Sequence, residues 1–158
     1  VGGVRVERRD ADQARLFYSW VRAEPAAALE HLSSVNLTKT AVVEVRLPDP
    51  SPVMPEIDGR LRLIEWTPER LLYEVETPRP VVLAVFERFS EGWEAILDGS
   101  KVEVFPCNYL FRGVYVPAGR HRVEMVYRPL SFRLGLAISA VGLFALILGI
   151  SLVGRWRE

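Results

Sequence analysis

The chain has 158 residues, 20 basic and 20 acidic side chains, 49% hydrophobic residues and one cysteine. This length supports one core without covalent staples, and a net charge of zero offers nucleic acid no basic face. Cys107 is alone, which excludes an intrachain disulfide framework and a cysteine-based zinc site.

In chain order, residues 4–8 (VRVER) and 16–22 (LFYSWVR) are β-prone runs. Pro25 opens a helical stretch, PAAALEHLSS, with proline in the first turn and Ala, Leu and Glu following. Residues 40–47 (TAVVEVRL) alternate, which puts Val43, Val45 and Leu47 on one face of a strand. Pro48, Pro50, Pro52 and Pro55 then predict a stiff loop that a sheet interior would reject. Strands are expected at 60–66, 70–77, 80–87, 93–97, 101–105, 109–116 and 120–127. Val81 to Phe86 is apolar on both faces and is therefore placed centrally. Asp98-Gly99 is a two-residue hairpin signal, and Pro117-Ala118-Gly119 supplies the next reversal. Many short strands punctuated by turns predict a mainly β fold: an antiparallel β-sandwich with one short N-terminal helix.

From Leu134 to Val153 there are twenty residues without a charge, about 30 Å of helix and the thickness of a bilayer core. Arg133 on one side and Arg155, Trp156 and Arg157 on the other are placed as interfacial anchors. The expected organisation is a β domain at 1–132, a transmembrane helix at 133–154 and a tail at 155–158. Residues 1–132 hold 17 basic and 19 acidic residues, and the charges flanking the span balance, so charge alone does not orient it. Gly135, Ser139, Gly142, Ala145 and Gly149 form a stripe of small residues against which other transmembrane helices could pack. The chain opens Val1-Gly2-Gly3-Val4 and reads as a piece of a longer membrane protein.

Catalytic signatures are sparse. There is no Gly-rich phosphate loop, no G-x-S-x-G elbow and no H-E-x-x-H, so neither a cofactor nor a metal is expected and no catalytic residue is assigned. His31 and His121 lack a second ligand at metal spacing, and Cys107 has no basic neighbour in sequence to activate it. The segment from Glu87 to Gly99 carries more information. Glu87 and Glu91 flank a turn that leads to Trp93, beside the Asp98-Gly99 hairpin. An aromatic platform with carboxylates around it suits a sugar, and the same residues also fill sandwich cores and turns. Glu91 and Trp93 are the candidate ligand contacts, and a core role for Trp93 is the other reading.

FSEGWEAILDG (89–99), NYLFRGVYVPAGRHRVEMVYRP (108–129) and SFRLGLAISAVG (131–142), in that order, resemble the C-terminal region of YfhO-like bacterial membrane proteins. The resemblance implies a polytopic parent of the membrane glycosyltransferase class, which uses lipid-linked sugars to decorate cell-envelope polymers. It also implies that residues 1–132 lie on the outer face of the cell membrane and that the Arg155 end is cytoplasmic. Gly92, Trp93, Asp98, Gly99, Pro117, Gly119, His121, Tyr127 and Pro129 match the family pattern, whereas Phe86-Glu87-Arg88-Phe89 departs from it. The implied partners are the lipid bilayer, the parent's other transmembrane helices, and a lipid-linked sugar or envelope glycan. The expected function is a non-catalytic outer-face domain plus the last span of such a protein, assisting glycosyl transfer. The alternatives are an anchored carbohydrate- or protein-binding module unconnected with transfer, and a catalytic fragment using Glu87 or Glu91 with Asp98.

Overall fold

The computed structural model describes residues 5–6, 13–50 and 59–155. Val4, Glu7 and Arg8 of the first expected strand, Pro52 and Pro55 of the proline loop, and Trp156 and Arg157 lie outside the described residues. The strands are β1 Arg5–Val6, β2 Ala14–Phe17, β3 Ser19–Arg22, β4 Thr40–Val43, β5 Arg60–Thr67, β6 Arg70–Thr77, β7 Val81–Arg88, β8 Trp93–Leu97, β9 Ser100–Val102, β10 Phe105–Cys107, β11 Phe111–Val116 and β12 Gly119–Tyr127. Two helices join them, α1 Ala28–Ser34 and α2 Leu130–Arg155. The chain divides into two compact units, Val1–Tyr127 and Arg128–Glu158.

The first unit is mainly β, as expected, and its described residues form two six-stranded sheets. One runs β1-β5-β6-β12-β8-β9 and the other β2-β7-β11-β10-β4-β3. Strand alternation aims one face of each sheet at a shared core: Leu71, Tyr73, Val123 and Met125 from the first sheet meet Leu16, Leu83, Val114 and Val116 from the second. The strand β7 is buried on both faces, because Val81, Leu83 and Val85 enter this core while Val82 and Ala84 enter another. It lies inside its sheet, between β2 and β11.

The expectation of wholly antiparallel sheets is corrected at two edges. Strands β3 and β4 pair in parallel, and so do β1 and β5. A parallel pair needs a crossover longer than a hairpin, and α1 supplies it between β3 and β4. Ala28 of that helix is buried against Ala23 and Val42. The helix begins at Ala28, since residues 25–27 form a turn before it. The run expected at 16–22 breaks at Tyr18 into β2 and β3, which occupy opposite edges of one sheet. That sheet curls until its two edge strands are separated along the chain by one residue. Its concave face encloses a second core of Phe17, Trp20, Ala41, Val43, Val82, Ala84, Phe105 and Cys107. Val45 and Leu47 pack on this core beside Val43, as the alternation predicts, although β4 itself ends at Val43.

Asp98 (φ 49°) and Gly99 (φ 87°) form the two-residue turn between β8 and β9. Positive φ at both positions is what that hairpin requires. In the second unit, α2 includes an apolar stretch, Leu130–Ile147, that is long and apolar enough to cross a membrane. Gly135, Ser139 and Gly142 lie on it and are exposed.

Candidate functional site

Trp93 opens β8 opposite Tyr127, the last residue of β12, and their rings lie 5.2 Å apart at 39°. Across the core, Arg112 occupies the same inward row of β11 as Val114 and Val116, and only 1% of it is exposed. Its guanidinium lies 3.7 Å from the centroid of the Trp93 ring, a cation–π contact sheltered from water. Glu87 continues the inward row of Val81, Leu83 and Val85 on β7, and its carboxylate pairs with Arg112. The other Glu87 oxygen accepts a hydrogen bond from the Trp66 indole N–H at 3.3 Å. Burial lowers the Arg112 pKa from its ordinary value, and the Glu87 carboxylate opposes that shift. Among the described residues, Arg112 Nε and Nη1 are buried with no hydrogen-bond partner, so Glu87 is the charge on which the guanidinium depends.

The two candidate ligand contacts separate here. Trp93 is half-buried, with one ring face covered by Arg112, so a sugar would meet its remaining surface. Glu91 is exposed in the turn before β8 and forms no side-chain hydrogen bond or ion pair among the described residues. Asp98 stands at the other end of β8, about 17 Å of extended chain from Trp93. Glycosidase carboxylates stand about 5–9.5 Å apart, and this strand keeps Asp98 from Glu91 by more than that. Glu87 stands out in the sequence as a turn flank, whereas Arg112, its partner, has no local mark. The available signal was parity, since both charges fall on rows otherwise filled by core valines and leucines.

Asp98 instead anchors the hairpin to β12. Its Oδ1 accepts the Arg122 amide at 2.7 Å, and its Oδ2 lies 2.6 Å from His121 Nδ1. His121 Nε2 faces the Ala118 carbonyl at 3.2 Å. Both ring nitrogens thus face acceptors, an arrangement that the doubly protonated imidazolium satisfies. The Arg122 amide, then His121, lowers the Asp98 pKa, and Asp98 raises that of His121. A raised histidine pKa gives stability that is fully present below the unfolded value of about 6.5 and lost as pH rises through the folded value. A lowered aspartate pKa gives stability present above about 3.8 and lost as pH falls through the folded value. The unfolding temperature should therefore fall between pH 6 and pH 8, and Asp98→Asn should flatten that fall. Thermal melts of both proteins across this range test it; parallel curves would remove the pair as the cause.

On the concave face of the curled sheet, Phe17, Leu32, Leu37, Phe86, Asn108 and Phe111 line an open groove of about 530 Å³. Asn108 is committed to structure, because its Oδ1 accepts the Val42 amide at 2.8 Å and its backbone N–H donates to the Val42 carbonyl. Phe86 and Phe111 of the groove directly precede Glu87 and Arg112 of the charged cluster. The groove and the cluster thus share strands β7 and β11 across opposite sheet faces. Cys107 is fully buried, and desolvation pushes its thiol to about 12, so it is inert as a nucleophile.

Residues 89–139, about a third of the chain, match the family described as bacterial membrane protein YfhO. The matched stretch runs from the turn before β8 through β12 and into α2. No curated protein and no solved structure matches the chain.

Proposed function

We propose that this chain is a non-catalytic domain plus last membrane span of a YfhO-like protein, and that it assists glycosyl transfer from a lipid-linked sugar to a cell-envelope polymer. The observation that carries this reading is the YfhO match, which crosses from the β domain into a helix long and apolar enough to span a bilayer. The β domain belongs on the outer face, where envelope polymers are assembled, with other spans of the parent packing against Gly135, Ser139, Gly142 and Gly149. The groove lined by Phe17, Phe86 and Phe111 supports a lipid-linked rather than a free sugar, since its volume and apolar lining suit part of a prenyl chain. Trp93 on β8 and Glu91 in the turn before it are the proposed sugar contacts. Chemistry then resides in another part of the parent.

Deleting the gene in the bacterium that carries it tests this reading. Mass spectrometry of purified envelope polymers should show a sugar substituent lost and then restored by the intact gene. An unchanged polymer profile in the deletion strain would sink it. If Trp93→Ala abolishes glycan binding while decoration stays complete, the chain is a binding module unconnected with transfer.

A further inference from the structure

We infer that the Tyr127 end of the β domain rests in the headgroup layer of a lipid bilayer, on a rim of exposed aromatic and aliphatic side chains, and so has a membrane-contact surface separate from α2. Four residues form the rim: Trp66 is 53% exposed, Tyr109 47%, Leu110 52% and Tyr127 36%. Register and hydrogen bonds gather them at one end. The Tyr127 amide donates to the Glu69 carbonyl in the turn that follows Trp66, and the Trp66 indole reaches Glu87. The Leu110 carbonyl accepts the Phe89 amide, two residues beyond Glu87. At the opposite end, where Thr77 pairs with Gly119 and Val81 with Val116, no large hydrophobic residue is exposed among the described turns.

The occupant follows from the chain itself. Only Arg128 and Pro129 separate Tyr127 from Leu130, where the membrane-length apolar helix begins. Three backbone steps span at most about 11 Å, so the rim lies on the end of the domain that is tied to the bilayer. Tryptophan and tyrosine combine an apolar ring with a polar N–H or O–H, which suits them to the water–hydrocarbon boundary. Tyr109 and Asn108 both hold positive φ, at 68° and 49°, and this backbone leaves Tyr109 and Leu110 exposed rather than folded into the core. Soluble surfaces scatter such residues singly, whereas clustering marks a contact site. This inference requires α2 to enter a bilayer but is independent of glycosyl transfer.

Spin labelling of the full chain in phosphatidylethanolamine–phosphatidylglycerol liposomes tests it. Nitroxides are placed at Leu110→Cys, Ala118→Cys and Ile138→Cys, with buried Cys107 left in place and an unlabelled-site control. The label at 110 should collide several-fold more with oxygen than with a water-soluble nickel chelate, and the label at 118 should show the reverse. Tyr109→Cys provides a second site on the rim if the first variant misfolds. Lipid exposure at 138 together with an aqueous signal at 109 and 110 would overturn the rim while leaving the span intact. An aqueous signal at 138 would overturn the inference at its root.

Discussion

Glu87→Ala is expected to destabilise the β domain by about 3 kcal/mol, lowering the unfolding temperature by about 10 °C. The cause is asymmetric. Arg112 is buried, Glu87 is its ion-pair partner, and two of its nitrogens already lack a hydrogen bond. Removing the carboxylate leaves a desolvated cation, whereas removing the cation leaves a half-exposed carboxylate that water can reach. Arg112→Met, which preserves the packing beneath Trp93, should therefore cost about 1 kcal/mol or less. The double variant should be more stable than Glu87→Ala alone. Thermal or urea unfolding in detergent micelles ranks the three. If Arg112→Met proves worse than Glu87→Ala, stacking on Trp93 rather than charge compensation holds this end of the domain together.

Gly113→Ala should cost about 2 kcal/mol or more, and Gly113→Val should fail to fold. Gly113 lies in β11 between Phe105 of β10 and Ala84 of β7. A Cβ there would fall 2.5 Å from Phe105 Cε2 and 3.0 Å from Cys107 Cβ. Phe105 is buried in the concave core and has no solvent into which to swing. Trimming the obstacle should restore part of the loss, so Gly113→Ala with Phe105→Leu should be more stable than the sum of the single changes implies. A double-mutant cycle reads this coupling, and strict additivity would show that the clash is not the cause.

The features legible in the sequence were those decided locally. The strands expected at 70–77 and 93–97 coincide with β6 and β8, and Asp98-Gly99 forms its turn because two adjacent residues are enough to specify it. Pairing between distant strands was not legible. Nothing near Tyr18 announces that β2 and β3 part to opposite sheet edges, because that choice is made by β7 and β4. Residues 101–105 and 109–116 read as two strands, whereas Phe105–Cys107 forms a short strand of its own, held between β11 and β4. The same limit applied at the site. Trp93 was visible as an aromatic beside a turn, but the cation on its face comes from β11, through an irregular register between Phe111 and Arg112.

Strand β12 is an interior strand, laddered to β6 from Gly119 to Val126 and to β8 from Val123 to Tyr127, and it is the strand that leads into α2. A bilayer that thins, curves or flows exerts force on whatever is embedded in it. Tension drawn along β12 would load both of its ladders in shear, so that many hydrogen bonds resist together rather than parting one at a time. An anchor on the outer strand β9, held on one side by three residue pairs, would peel. The strand that continues into α2 is thus held on both sides, whereas β9 is held on one.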